Sequence, residues 1–376
     1  MRILISSIWM YPLPGGVSSH IKALKATLER LGHSVDVVLP DYPESRCNSL
    51  IAFYENARHS LADKVEYRLR SATYDVISCH DVMSFLACLF LHVNIPIVLT
   101  VHDLIEEEAL ASKLILENSV EEKYLKYCEE MAYKSAPEII AMSPVIRDYI
   151  KAVAGCKRIT LLRNFVDMEL FRPIEVDKGF KRDLGIPDDR FVVLCPLKLT
   201  AKSGIGYLID GFRILLDEGI KAYLVVAGEG EERKALINKA ESLRLTGNYI
   251  MLGSVNHSIM PMFYAIADAV CIPSVAIGRA NGETPVSVLE AMMCGKVVVA
   301  SAIAGIKDVI KDGVNGILVR QKSPFAIADG IMRIIKDGSL RSAIEKNAYA
   351  TALRSYSSIF AARVYLKVFE RLVRKF

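Results

Sequence analysis

Short apolar runs alternating with helical patterns mark this as an α/β chain with two parallel-sheet domains. The runs lie at residues 2–8, 35–39, 75–79, 95–101, 191–195, 222–227, 269–273 and 297–300, the pattern of strands joined by crossover helices. At 376 residues the chain exceeds what one hydrophobic core usually organises. A polar, charged stretch at 173–187, with Gly179 and Gly185, interrupts the alternation midway and reads as a linker. The expected domains are residues 1–172 and 173–354, followed by a last helical stretch at 355–376.

Composition narrows the class. A hydrophobic fraction of 52% with 24% charged residues suits a globular protein. No run reaches the roughly 18 to 20 uncharged apolar residues that span a bilayer. The opening residues carry one charge and a short apolar run, but the turn-rich segment 9–16 lacks a small-residue cleavage site, so the opening reads as a strand. The eight cysteines are scattered, without Cys-x-x-Cys, and Cys79, Cys195 and Cys271 fall inside apolar patterns, which points to core packing and a reducing cytoplasm. No pairing of histidines resembles a metal site, and none is expected. Net charge is +4, unevenly placed: residues 1–172 hold 19 Lys and Arg against 22 Asp and Glu, and the remainder hold 28 against 21. No basic run interleaved with aromatics points to nucleic acid.

In chain order, the first strand leads through the glycine-rich turn at Gly15 and Gly16 into a helix over 17–32, with Ile21, Leu24, Leu28 and Leu31 on one face. The dinucleotide pattern Gly-x-Gly-x-x-Gly is absent from this turn. Residues 41–72 are less informative, although Arg58, Lys64, Arg68 and Arg70 could line one helix; Asp63 and Glu66 interrupt them, so charge does not indicate membrane docking. The strand at 95–101 runs into His102 and Asp103 at its C-terminal edge, where open α/β sheets bind ligands. An acidic helical stretch over 103–134 follows, then a strand at 138–142, a helix begun by Ser143 and Pro144, and a strand at 159–162.

The second half starts with the strand at 191–195 and a loop that carries Lys198 and Lys202, two cations at one strand-to-helix turn. Strands at 222–227 and 249–252 end in Gly228 and Gly253, a helix over 261–268 precedes the strand at 269–273, and a strand at 317–319 is followed by two helices. Between 269–273 and 297–300 lies a helix for which Thr284 can supply the cap, Pro285 the first helical residue and Gly295 the left-handed end. Val288, Leu289, Met292 and Met293 recur at helical spacing and face the sheet, while Ser287, Glu290 and Cys294 share another side. The free N–H groups and positive dipole end at Thr284, Pro285 and Val286 favour an anion such as phosphate. Glu290, about two turns further on, can accept hydrogen bonds from ribose hydroxyls or lie solvated on the outer face.

The run Val288-Leu289-Glu290-Ala291-Met292-Met293-Cys294-Gly295 resembles the signature helix of the retaining, nucleotide-sugar-dependent glycosyltransferases of family 4, also called group 1. The resemblance implies the GT-B fold, two Rossmann-like domains facing a central cleft, with the helix at 355–376 crossing back to the first. That family has a Glu-x7-Glu pattern, whereas here six residues separate Glu283 from Glu290 and Gly282 stands at the usual place of the first glutamate. Lys198 stands where arginine is usual and Lys202 matches the family's lysine, which implies contacts to the donor diphosphate. By the same resemblance His102 reaches the donor sugar, Gly15 and Gly16 let backbone approach donor phosphates or acceptor, and the loops at Gly228 and Gly253 frame the base. Asn164-Phe165-Val166-Asp167 resembles an Asn-Gly-Val-Asp element, with Phe165 replacing glycine.

The implied reaction is transfer of a sugar, with retention, from a UDP-, GDP- or ADP-sugar to a hydroxyl of a glycan, lipid-linked or small-molecule acceptor. It needs no tightly bound cofactor or metal. His102, Glu283, Lys198 and Lys202 would be the catalytic set, in the cytoplasm or peripherally at the inner membrane face. Two other readings share these residues: a nucleotide-sugar epimerase of the same fold, and a weakened nucleotide-sugar-binding subunit.

Overall fold

The computed structural model describes residues 1–9, 16–41, 49–155, 158–276 and 284–376. It divides into two compact units, residues 1–164 with 358–376, and residues 165–357.

The first unit is a parallel sheet of β1 (Arg2–Ser6), β2 (Ser34–Val38), β3 (Val76–Cys79), β4 (Ile97–Val101), β5 (Ile139–Ala141) and β6 (Ile159–Leu161), in the order β2-β1-β3-β4-β5-β6. The strand order reverses between β1 and β3, so the loops after these two strands open a crevice at the sheet's C-terminal edge. Around it lie α1 (Gly16–Arg30), α2 (Leu50–Ser71), α3 (Val82–Phe90), α4 (Ile105–Ala111), α5 (Val120–Ser135) and α6 (Pro144–Ala154). Side-chain caps from Ser49, Asp81, Ser119 and Ser143 start α2, α3, α5 and α6, each accepting an orphan N–H of the first turn.

The acidic stretch 103–134 is two helices rather than one. α4 ends at Ala111, and the left-handed backbone at Lys113 (φ 56°) and Asn118 (φ 62°) turns the chain before Ser119 caps α5. α3 has no readable period because it is apolar on every side, the mark of a helix enclosed by protein; seven of its nine residues are buried.

The second unit begins at Phe165, and the expected linker holds α7 (Lys178–Asp183), whose Phe180 packs on the unit's core. Its sheet comprises β7 (Phe191–Cys195), β8 (Ala222–Ala227), β9 (Tyr249–Gly253), β10 (Ala269–Ile272), β11 (Val297–Ser301) and β12 (Ile317–Val319). The order is β12-β11-β10-β7-β8-β9, all parallel, with reversal between β7 and β10. The remaining helices of this unit are α8 (Ile205–Asp217), α9 (Arg233–Ser242), α10 (Met260–Ile266), α11 (Val286–Met293), α12 (Ala304–Lys307), α13 (Pro324–Lys336) and α14 (Gly338–Ser355). One core cluster joins the sheet to α10 and α11, and a second joins its other face to α8 and α13.

The last helix, α15 (Ser358–Val373), belongs to the first unit, where it packs on α1. Among the described residues no helix is long and apolar enough to cross a membrane.

Candidate functional site

In the second unit the loops after β7, β8, β9 and β10 interlock at the sheet's C-terminal edge. Leu199 N–H donates to the Glu229 carbonyl (2.9 Å), Gly228 N–H to that of Gly253 (2.8 Å) and Val275 N–H to that of Lys202 (2.8 Å). Two glycines make this possible. A Cβ at Gly228 would lie 1.9 Å from the Leu197 carbonyl oxygen, and one at Gly204 (φ 65°) would lie 2.2 Å from that of Pro273. Gly228 is therefore required by loop-on-loop packing within the chain. Gly253 turns left-handed at φ 77° at the end of β9.

Lys198 and Lys202 are both exposed on the first of these loops. Their backbone is fixed: the Lys198 carbonyl accepts from Thr200 N–H at 3.0 Å and from the Ser203 hydroxyl. Among the described residues neither ammonium group is paired with a carboxylate, so both charges are available to an anion.

α11 starts one residue later than expected. Pro285 occupies the cap position in an extended conformation and offers no side-chain acceptor, while the buried Thr284 hydroxyl donates to the Gly305 carbonyl at 2.6 Å. Thr284 thus braces the loop instead of capping the helix. Among the described residues the first turn of α11 has no side-chain cap; Val288 N–H donates to the Pro285 carbonyl at 3.0 Å, and the N–H groups of Val286 and Ser287 are left for an external acceptor. The helix ends as its sequence suggests, with Gly295 left-handed at φ 69°. Gly15 and Glu283 lie outside the described residues; Gly16 opens α1.

Glu290 is only 6% exposed and so is not the solvated outer-face residue that its sequence allows. Its Oε1 faces His257 Nε2 at 2.7 Å, and its Oε2 accepts from the Tyr264 hydroxyl at 2.8 Å. Burial, and then the charge of Glu290, push the Tyr264 hydroxyl up, which keeps it a donor. Phe171 packs against both partners, its ring 4.9 Å from that of His257 and 5.9 Å from that of Tyr264. The His257 side chain is 47% exposed and forms the solvent side of this cluster. Nothing in the sequence pointed to His257 or Tyr264, because neither sits in a motif and the pairing joins residues 33 and 26 positions apart.

In the first unit, His102 follows β4 and meets two histidines that the sequence left unconnected. His80 follows β3, and His20 projects from α1. His80 Nδ1 lies 3.2 Å from His102 Nε2, and His80 Nε2 lies 3.2 Å from the Ser78 hydroxyl. His20 Nε2 lies 3.0 Å from the Tyr365 hydroxyl of α15, which is also 3.2 Å from that of Thr100. Burial lowers all three rings from the ordinary histidine value, His102 to about 3, with the other histidines' charges adding to the effect at His20 and that of His102 adding to it at His80. No histidine grouping is visible in the sequence, and the structure brings three together.

Two family models match the chain: glycosyltransferase family 4 over residues 14–170 and glycosyl transferases group 1 over residues 177–351. An uncharacterised glycosyltransferase of Methanocaldococcus jannaschii is 29% identical over 373 residues, covering 93% of each chain. A phosphatidyl-myo-inositol mannosyltransferase of Mycobacterium tuberculosis is 25% identical over 390 residues, covering 98% of this chain and 97% of its own. Among solved structures, sucrose-phosphate synthase from Thermosynechococcus elongatus shares the fold at TM-score 0.77 and 18% identity, over 98% of this chain and 99% of that one. HepE from Anabaena, solved with UDP, shares it at TM-score 0.74 and 21% identity, over 99% of this chain and 100% of that one.

Proposed function

Since the chain belongs to the glycosyltransferases of group 1 and family 4, with the GT-B fold, we propose that it moves a sugar from a nucleoside diphosphate to an acceptor hydroxyl with retention of configuration. The observation that carries this reading is the edge of the second sheet. At the switch between β7 and β10, two lysines that pair with no carboxylate among the described residues share one loop, and α11 opens nearby without a side-chain cap from those residues.

The departing nucleoside diphosphate gains negative charge on its phosphate oxygens as the bond to the sugar breaks. Preorganised cations and N–H groups act most strongly on charge that develops in the transition state. Lys198, Lys202 and the start of α11 at Thr284, Pro285 and Val286 are assigned that role. As a lysine, Lys198 supplies a point charge in place of a planar bidentate fork. Glu290 takes the ribose hydroxyls, which donate to its carboxylate, and the loops at Gly228 and Gly253 receive the base. Glu283 is assigned to the sugar. In the first unit Gly16 and His102 stand at the sheet's C-terminal edge, where sugar or acceptor hydroxyls find partners. The UDP, UDP with glucose and UDP-glucose bound in the HepE structures support a nucleotide-sugar donor. The six described cysteines are free and buried, which suits a reducing compartment.

The test is a thermal-shift screen of UDP-, GDP- and ADP-sugars, followed by transfer assays with the stabilising donor and NMR of the product's anomeric proton. A donor at about 100 times its Kd raises stability by about 2.7 kcal/mol. A retained anomer supports the reading. Donor binding with a free epimerised sugar, or without turnover on any acceptor class, counts against it.

A further inference from the structure

We propose that His20, His80 and His102 form a binding site for a divalent transition-metal ion of the zinc, nickel and copper class. The assignment stands on the first unit alone; it shares His102 with the glycosyl-transfer reading, so a bound ion would compete with the hydroxyl contact given to that ring, and its test reads ion binding rather than transfer.

Three imidazoles from three elements converge, each offering one nitrogen, and these nitrogens all lie within 4.8 Å of one another. Zinc bound by histidine has Zn–N bonds of about 2.0 Å in a tetrahedron, whose edges are therefore about 3.3 Å. The separation of His80 Nδ1 and His102 Nε2, 3.2 Å, already matches such an edge. The widest of the three separations exceeds the tetrahedral edge by at most roughly 1.5 Å. All-imidazole sets suit zinc, copper and nickel, and disfavour the hard cations that take oxygen ligands.

The surroundings are those of a metal site. Metal-bound histidines have their other nitrogen held by a hydrogen-bond partner, which fixes ring direction. The Ser78 hydroxyl holds His80 Nε2 and leaves Nδ1 facing His102. The Tyr365 hydroxyl, itself bonded to Thr100, fixes the ring of His20. His20 and His80 are buried, and the partly exposed His102 supplies an entry from solvent. Three protein ligands leave a fourth position for water or a ligand oxygen, as in open zinc sites. A purely hydrogen-bonded trio needs one ring proton between His80 and His102; an ion would take that proton's place.

Titrating the full chain with Co2+, read by its visible d–d absorption, tests this. The expected result is one Co2+ per chain with the strong bands of tetrahedral coordination, displaced by Zn2+. His20→Gln, His80→Gln and His102→Gln should each weaken binding at least tenfold, Ser78→Ala by about tenfold, and the exposed control His59→Gln not at all. Circular dichroism reports whether each variant is folded, and if a buried histidine variant is not, the partly exposed His102→Gln decides. Absence of the bands in the wild-type chain at saturating Co2+, or undiminished affinity in folded His102→Gln, overturns the proposal.

Discussion

Glu290 couples stability to the proposed ribose contact through one carboxylate. Both of its oxygens already have partners, His257 and Tyr264, so a ribose hydroxyl must share Oε1 with His257 or displace it. Glu290→Gln keeps the shape but offers a neutral acceptor and turns an N–H toward one of two donors. Donor affinity should fall by about 1–2 kcal/mol, measured by calorimetry with nucleoside and nucleoside diphosphate. Lys202→Ala acts differently, because its target is phosphate. It should weaken the nucleoside diphosphate at least tenfold while the nucleoside is unchanged; equal losses for both ligands would remove Lys202 from the diphosphate contacts. The motif helix announced Glu290, but not the depth of its burial. Thr284 shows the limit of a local rule, since a hydroxyl before a proline suggests a cap, and only the folded loop reveals the Gly305 carbonyl that takes it.

At the scale of elements, α5 carries a buried acid. Glu129 is 1% exposed; its Oε1 accepts from Ile105 N–H (2.8 Å) and the Tyr133 hydroxyl (3.2 Å), and its Oε2 has no partner among the described residues. Burial pushes it up to about 7, with the charges of Glu106 and Glu107 adding to the shift. A folded value above the unfolded one means that the folded state holds the proton longer. The contribution is complete below about pH 4.5 and is lost as pH rises through 7. Glu129→Gln should therefore stabilise the chain at pH 8 by on the order of 2 kcal/mol relative to its effect at pH 4.5, as read from urea unfolding at both pH values. Strands were legible because each is a short apolar run between turns. The break between α4 and α5 was not, since left-handed Lys113 and Asn118 carry no glycine to mark them, and α3 was hidden by apolarity on all sides.

At the scale of the whole molecule, the first unit is assembled from both ends of the chain. Arg371 of α15 donates to both oxygens of Glu138, 3.0 Å from Nε and 2.6 Å from Nη2, and that carboxylate is 1% exposed. Arg371→Ala leaves it with Arg158 at 3.7 Å, so the cost should be about 2 kcal/mol, below that of a wholly unpaired buried charge. Equilibrium unfolding at neutral pH measures it, and a change near zero would show that Arg158 suffices. The second unit begins and ends at one place: Val166 and Ser357 form a parallel bridge, and Val166 N–H donates to the Tyr356 carbonyl at 2.9 Å. It is an insertion, complete in itself, within a unit that closes only with residues 358–376. On the ribosome this reverses the usual order of maturation. The segment synthesised first must wait roughly 10 to 40 s, at about 5–20 residues per second, for the helix that buries Tyr365 and Phe369 against it, while the inserted unit has all its residues earlier. A chain truncated after Ser357 and released from the ribosome should thus carry a protease-resistant second unit and a first unit still open to chaperones.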